Sequence, residues 1–272
     1  MPLWEWIKVA LLGVLEGLTE FLPVSSTGHL ILLEDLLPLP GSPAFRDAFF
    51  TVIQLGAVAA VALLYGRRLW PLQKSGPGRA PVKRRTLSLW GKTAAACVPG
   101  ALAVFLLGDA LHAVERPWVV AVALMGYGAI FLVLDGKARP ARVREAEDLS
   151  YGDALWVGAF QILSLVPGTS RSGSTIIGAL TRGVSRPAAA EFSFFLALPV
   201  MAGYSLWKLL RCGALFTGTE WAMLALGTLT AFLTALPVVK AFTGFLKKRG
   251  FAPFGWYRIA LGLIVLLRFW MK

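Results

Sequence analysis

Long apolar stretches separated by short polar connections dominate this chain. Six of them approach the roughly 20 residues that a helix needs to cross a hydrocarbon core of about 30 Å. The alternation of apolar stretches and short connections predicts an all-α polytopic membrane protein with six transmembrane helices. The predicted spans are Ala48–Tyr65, Thr93–Leu107, Trp118–Leu134, Phe192–Trp207, Trp221–Val239 and Ile259–Phe269.

Two further apolar segments, residues 3–36 and 154–182, are each interrupted near the middle. The interruptions are Pro23 and the pair Pro167-Gly168. Proline removes a backbone donor and disfavours helix in the residue before it, so each segment should break into two half-helices. We predict that both are re-entrant helical hairpins, the first entering from outside and the second from inside.

Charge supports the membrane assignment and predicts an orientation. Only 15% of the 272 residues are charged, and the net charge of +12 comes from Lys and Arg in alternate short connections. The positive-inside rule puts these connections in the cytoplasm and both chain ends outside. Because the basic residues fall between apolar spans, we expect no nucleic-acid partner. The stretch Trp4–Leu22 lacks a basic start and a small-residue cleavage site, so we interpret it as retained structure rather than a signal peptide.

The two halves of the chain resemble each other. Glu16 and Gln161 are 145 positions apart, and Pro23 and Pro167 are 144 apart. One hairpin and three spans per half give the halves opposite topology, which predicts an inverted-topology repeat with a site near the midplane, between discontinuous helices. We therefore expect a single integral membrane domain over 1–272, with one half at about 1–135 and the other at about 151–272.

The first hairpin concentrates reactive side chains around its break. Glu16 and Glu20 are four residues apart, so a helix places both carboxylates on one face, where they need a cation, a metal or a shared proton. After the proline, Ser25 or Ser26 is placed to cap the returning half-helix, whose N-terminus favours an anion. Ser26 is the candidate nucleophile, and His29 lies one turn further on.

The second hairpin supplies hydroxyls and a cation inside an apolar segment. Its sequence, Pro167-Gly-Thr-Ser-Arg-Ser-Gly-Ser-Thr175, contains Arg171 with Ser170, Ser172 and Thr175 around it. A guanidinium can bind two phosphate oxygens at once and keeps its charge at any relevant pH. Arg171 could instead be only the structural partner of Glu16 or Glu20.

Together the two hairpins would combine carboxylates, hydroxyls, an imidazole and an arginine. Phosphoryl transfer needs charge neutralised on the equatorial oxygens and an attacking oxygen in line. Glu16 and Glu20 are suited to Mg²⁺ or Ca²⁺, which prefer oxygen ligands and bridge phosphate groups. The predicted site therefore binds a phosphorylated group, and the predicted chemistry is phosphoryl transfer.

The motifs Glu16-x-x-x-Glu20 with Pro23-Val-Ser-Ser-Thr-Gly-His29, and Pro167-Gly-Thr-Ser-Arg-Ser-Gly-Ser-Thr175, resemble those of the undecaprenyl-diphosphate phosphatase family, the bacitracin-resistance proteins. The resemblance implies removal of the terminal phosphate from undecaprenyl diphosphate, which recycles the lipid carrier for peptidoglycan synthesis. It also implies a divalent cation and a plasma-membrane location with the site facing the periplasm. The implied functional residues are Glu16, Glu20, Ser26, His29 and Arg171, with Ser25, Thr27, Ser170, Ser172 and Thr175 around them.

Several alternatives stay open at this point. Ser26 could attack the terminal phosphorus while Glu20 or His29 takes its proton, or water could attack directly. Inverted repeats with broken helices are also typical of transporters, so a lipid flippase is a rival interpretation. A lipid phosphatase that uses a phosphohistidine is disfavoured, because no histidine follows Arg171. The expected partners are the polyprenyl diphosphate substrate and membrane lipids, and association into a homo-oligomer is left open.

Overall fold

The computed structural model describes the backbone of residues 2–73, 81–111, 116–136 and 140–271, and among these it leaves out the side chains of 27, 31, 34–36 and 107–111. The described part is helical, with two isolated β-bridges, Leu72 to Val82 and Val143 to Val184. The α-helices, in chain order, are α1 Leu3–Thr19, α2 Ser26–Leu36, α3 Pro43–Leu64, α4 Gly66–Leu69, α5 Arg84–Leu111, α6 Pro117–Gly136, α7 Tyr151–Ile162, α8 Arg171–Thr181, α9 Arg186–Cys212, α10 Gly218–Leu246 and α11 Ala252–Trp270.

Six helices of the described part are long and apolar enough to cross a membrane, which confirms the predicted number of spans. They are α3, α5, α6, α9, α10 and α11. Most of their ends lie outside the predicted apolar stretches, because a cap or polar residues can continue a helix beyond its apolar part. For example, α9 begins at Arg186 rather than Phe192, since the Ser185 side chain accepts a hydrogen bond from the Ala188 backbone N–H.

Both remaining apolar segments are broken at the predicted places. The first helix ends at Thr19, Glu20 keeps helical backbone angles, and α2 begins at Ser26 on the far side of Pro23. In the second segment α7 ends at Ile162, a short 3-10 turn follows, and α8 begins at Arg171 after Pro167. The breaks put Glu20 and Arg171 beside the interrupted backbone.

The helices of the two halves interlock. Helix α1 packs on α10, α7 packs on α5, and α6 packs along α11. The approach is close at several glycines: a Cβ on Gly13 would meet the Gly227 carbonyl oxygen, and one on Gly56 would meet the Thr228 carbonyl oxygen. Small residues allow such close backbone contact between helices inside a membrane.

The connection between the halves is held by ion pairs at one end of the bundle. Arg68 Nη2 donates to Glu147 Oε2 at 2.6 Å, and its Nη1 donates to Glu191 Oε2 at 2.8 Å. Burial raises the pKa of Glu147, but the hydrogen bonds from Arg68 outweigh burial, and the pKa lies below its usual value. The Glu147 carboxylate is therefore ionised at neutral pH, and Arg68, paired with both Glu147 and Glu191, fixes α4 and the linker against α9.

The re-entrant course of the two broken segments and the opposite topology of the two halves stay predictions, because helix bounds and contacts do not define a membrane plane. The single-domain boundaries stay predictions as well.

The close approach of α3 to α10 gives a testable expectation. Gly56→Ala places a methyl group against backbone atoms of Thr228 and Phe232, which cannot move aside like a flexible side chain. We expect the variant to unfold in detergent at a lower temperature, because its free energy of unfolding falls by about 1–3 kcal/mol. Gly244→Ala on α10 is the control, since nothing lies within 4 Å of its added methyl group. Equal melting temperatures in both variants would contradict the packing.

Candidate active site

The two helix breaks meet, and a buried arginine joins them. Arg258 of α11 is fully buried, and its Nη1 donates to the Pro23 carbonyl oxygen at 3.0 Å. Its Nη2 donates to the carbonyl oxygens of Gly168 at 2.8 Å and Thr169 at 3.1 Å. The two segments also contact each other directly, because Ser172 Oγ donates a hydrogen bond to the Leu22 carbonyl oxygen at 3.0 Å. The convergence predicted from the two prolines is therefore present.

The two returning helices begin in the same unusual way. Ser25 and Ser170, the N-caps of α2 and α8, both have a φ of 70°, and they are the only non-glycine residues of the described part with positive φ. Each side chain accepts a hydrogen bond from the backbone N–H three residues on, Gly28 at 3.4 Å and Gly173 at 3.2 Å. Such conformations cost about 1–3 kcal/mol and persist where surrounding contacts enforce them, often at functional sites.

The predicted nucleophile, carboxylate and arginine form one chain of contacts. Ser26 Oγ donates to Glu20 Oε2 at 3.2 Å, and Arg171 Nη2 lies 3.3 Å from Glu20 Oε1. Glu20 and Arg171 come from different broken segments, so this pair forms only where the two breaks meet. Both side chains of the pair are largely buried, with exposures of 8% and 12%. The Arg171 guanidinium points into the protein, as a site between the two broken segments requires.

Hydroxyl groups of α8 and α9 hold Arg171. Its Nη1 donates to the Ser193 carbonyl oxygen at 3.0 Å, and Ser193 Oγ lies 2.8 Å from Thr175 Oγ1. Thr175 Oγ1 also donates to the Arg171 carbonyl oxygen at 2.9 Å. Thr175 is fully buried, and its hydroxyl contacts the Arg171 backbone and the Ser193 hydroxyl rather than the guanidinium.

The other predicted hydroxyls have protein partners or lie outside the described side chains. Ser172 is fully buried and bonds Leu22, while Ser170 Oγ lies 3.0 Å from Ser172 Oγ. The Thr27 side chain is not among those described. Contact of Ser25, Thr27, Ser170, Ser172 and Thr175 with a phosphate group stays a prediction.

His29 is positioned by both ring nitrogens. Its Nδ1 lies 2.7 Å from the Ser25 carbonyl oxygen, and its Nε2 lies 2.6 Å from the hydroxyl of Tyr257 on α11. A carbonyl oxygen only accepts, so Nδ1 carries a proton. His29 is thus engaged by Ser25 and Tyr257, whereas the Ser26 hydroxyl is engaged by Glu20.

The environment of Glu16 fits a cation. Its carboxylate is fully buried, and neither oxygen has a hydrogen-bond partner. Glu20 lies one helical turn further on and within electrostatic reach, so two carboxylates face one region. The described residues hold no group of three or more His, Cys, Asp or Glu side chains suited to a metal ion. A metal at the Glu16–Glu20 pair would therefore need ligands from the substrate and water, as Mg²⁺ commonly has.

Gly168 in the second broken segment allows close helix packing, which the sequence did not indicate. Glycine at positions 168 and 173 could allow close approach of a ligand. A Cβ on Gly168 would instead meet the Val120 carbonyl oxygen of α6 at 2.6 Å, and the backbone there has a φ of 94°. A Cβ on Gly173 would lie 3.4 Å from Arg258 Nη1. Glycine at position 168 therefore lets the junction close on α6, whereas the contacts at Gly173 are close to ordinary van der Waals distances.

Sequence reasoning missed Arg258, Tyr257 and Ser193. The last predicted span began at Ile259, so Tyr257 and Arg258 were placed in the preceding connection, although α11 begins at Ala252. An arginine beside an apolar span was a usable signal, because ionisable groups at membrane depth face the protein interior and have partners. Ser193 had no signal, since its role depends on α9 lying against α8.

The fold and site define a multi-pass α-helical membrane protein with an arginine, two carboxylates and hydroxyls at a junction of broken helices. Residues 9–264 match the family model described as bacitracin resistance protein BacA, and the chain belongs to this family. The chain is similar to the undecaprenyl-diphosphatase of Enterococcus faecalis, with 48% identity over 97% of this chain and 96% of that protein. It is also similar to the undecaprenyl-diphosphatases of Lachnoclostridium phytofermentans, at 44% over 97% of each, and Desulfitobacterium hafniense, at 45% over 99% and 98%.

The Arg258 junction predicts a stability effect. Arg258→Lys leaves a single ammonium group, which cannot reach the carbonyl groups of both breaks at once. Each buried carbonyl left without a donor costs on the order of 1–3 kcal/mol, so we expect a lower melting temperature in detergent. Arg249→Lys, an exposed position in the connection before α11, is the control. Unchanged stability in the Arg258 variant would show that the junction does not depend on the guanidinium.

Proposed function

We propose that this protein hydrolyses undecaprenyl diphosphate to undecaprenyl phosphate and inorganic phosphate. The observation that carries the proposal is the contact of Ser26 and Arg171 with the same carboxylate, Glu20, at the junction of the two breaks. Membership of the family and the names of its relatives support the same substrate. The reaction would regenerate the lipid carrier for peptidoglycan synthesis, and it would counter bacitracin by returning the carrier to its monophosphate form.

Ser26 is the proposed nucleophile. Its Oγ donates to Glu20 Oε2, so Glu20 is placed to take the proton as the oxygen attacks the terminal phosphorus. The bond from this phosphorus to the bridging oxygen breaks, and undecaprenyl phosphate leaves with the electron pair. Water then cleaves the Ser26 phosphoester and releases phosphate. His29 takes no proton from Ser26 in this arrangement.

Arg171 neutralises charge on the transferred group. In the structure it pairs with Glu20, and an incoming phosphate group competes for the same guanidinium donors. Binding of substrate would therefore loosen the Arg171–Glu20 pair and leave the carboxylate freer to act as a base. The N-termini of α2 and α8 add backbone donors and a partial positive charge at the junction.

A divalent cation, Mg²⁺ or Ca²⁺, belongs to the proposal. Glu16 and Glu20 would hold it, because the unpartnered Glu16 oxygens need a positive charge or a proton at this depth. When bound, such an ion neutralises phosphate oxygens and lowers the pKa of coordinated water.

The proposed location is the bacterial plasma membrane, with the site facing the periplasm and both chain ends outside. The basic connections that follow the first, third and fifth spans support this orientation. The proposed re-entrant hairpins and inverted repeat are supported by the matching caps at Ser25 and Ser170. The reciprocal packing of α1 on α10 and of α7 on α5 supports the repeat as well.

Phosphate release from undecaprenyl diphosphate by the purified protein in detergent tests the function. We expect wild type to release phosphate, and both added chelator and Arg171→Lys to lower the rate at least 100-fold, since charge neutralisation is the main contribution to phosphoryl transfer. A detergent solution has no separate compartments, so a protein that only transports the lipid would release no phosphate in this assay. Lys240→Arg on the exposed face of α10 is the matched control. Absence of phosphate release in wild type would refute the proposal.

The nucleophile is tested separately. Ser26→Ala removes the attacking oxygen and keeps the backbone, so we expect a loss of activity of at least 10³-fold together with an unchanged melting temperature. Acid quenching of wild type with substrate labelled at the terminal phosphate should trap label on Ser26. Full activity in Ser26→Ala, or label only in free phosphate, would favour direct attack by water.

A further inference from the structure

A tyrosine outside the predicted site is bonded to the site histidine. Tyr257 precedes Arg258 on α11, and its hydroxyl oxygen lies 2.6 Å from His29 Nε2. The two rings are stacked, with centroids 5.6 Å apart and planes inclined by 17°. The other ring nitrogen, Nδ1, lies 2.7 Å from the Ser25 carbonyl oxygen.

The direction of each bond follows from the groups involved. The Ser25 carbonyl oxygen can only accept, so His29 Nδ1 is the donor. In the neutral imidazole Nε2 is then the acceptor, and the Tyr257 hydroxyl must donate to it. The chain therefore runs from the Tyr257 O–H to Nε2, and from Nδ1–H to the Ser25 carbonyl oxygen.

This chain ends at the residue before the proposed nucleophile. Ser25 is the N-cap of α2 and holds a φ of 70°, a conformation that L-residues adopt only when contacts enforce it. The bond from His29 is such a contact, because it fixes the Ser25 carbonyl group. The peptide that follows this carbonyl carries Ser26, whose Oγ must point toward Glu20.

We propose that Tyr257 is a positioning residue for the nucleophile: its hydroxyl holds His29 as the Nδ1-protonated tautomer, and His29 in turn holds the Ser25–Ser26 backbone. The inference deepens the proposed phosphatase function and rests on it. The positioning role also explains why His29 lies in the site without a hydrogen bond to Ser26 in this structure. Its ring is used to connect α11 to the first turn of α2.

The hydroxyl can be separated from the ring. Tyr257 is 47% exposed, and Phe at this position keeps the stacked ring and removes only the donor to Nε2. The loss of one hydrogen bond of typical strength predicts a decrease in kcat of roughly 3- to 10-fold for Tyr257→Phe, with KM unchanged and the folded state retained. Tyr204→Phe on α9 is the control, since that ring is half exposed and stacked on Trp207.

A double-mutant cycle tests whether Tyr257 acts through His29. We expect Tyr257→Phe to have no further effect on kcat once His29→Ala is present, because the acceptor is already gone. Additive losses in the double variant, or full activity in Tyr257→Phe alone, would overturn the proposal.

The tautomer is measured without substrate. The chain has two histidines, so His112→Gln leaves His29 as the one labelled ring in a ¹⁵N-histidine NMR sample. At a pH where the imidazole is neutral, we expect Nδ1 to be protonated and Nε2 to accept a hydrogen bond. Tyr257→Phe should then move the Nε2 resonance to higher frequency.

A protonated Nε2 in neutral wild type, or an unmoved Nε2 resonance in the variant, would refute the proposed bond even if the enzyme is active. Conversely, wild type without phosphate release would refute the proposed function while the NMR result still decides the tautomer. The two failures are therefore distinguishable.

Discussion

A helix broken inside the protein leaves backbone carbonyl groups without helical partners, and the rest of the site depends on how these groups are satisfied. Arg258 donates hydrogen bonds to the carbonyl oxygen of Pro23 at one break and to those of Gly168 and Thr169 at the other. Leaving such groups unpaired in hydrocarbon costs several kcal/mol each. One buried cation therefore makes the junction of the two breaks more stable than either break alone.

Chemistry is concentrated at the junction because both breaks supply what continuous helices cannot. Each break begins a new helix, and each new helix brings an N-terminus and a capped first turn to the same place. The carboxylate of Glu20 comes from the C-terminal end of α1 at one break, and the guanidinium of Arg171 from the start of α8 at the other. Their pairing in the structure keeps opposite charges compensated at a depth where an isolated charge is costly.

The apolar pattern determined the class of fold. Six spans and two interrupted segments could be read from the sequence because lipid requires long apolar helices, and Pro23 and Pro167 stand beside the polar motifs where two segments break. Proline alone does not decide a break, since Pro99, Pro199 and Pro237 lie inside continuous helices. The same sequence did not give the helix ends. The start of α9 at Arg186 and of α11 at Ala252 depends on local caps and on polar residues that continue a helix beyond its apolar part.

For the site, the sequence by itself determined which residues are candidates: Glu16, Glu20, Ser26, His29 and Arg171 are polar groups in apolar segments, and that is visible without coordinates. Only the tertiary structure decided their partners. Glu20 and Arg171 are 151 positions apart, and His29 and Tyr257 are 228 apart, so no local pattern could pair them. Local composition specifies where charge must be compensated, whereas the packing of α11 and α9 against the two breaks specifies which group does so.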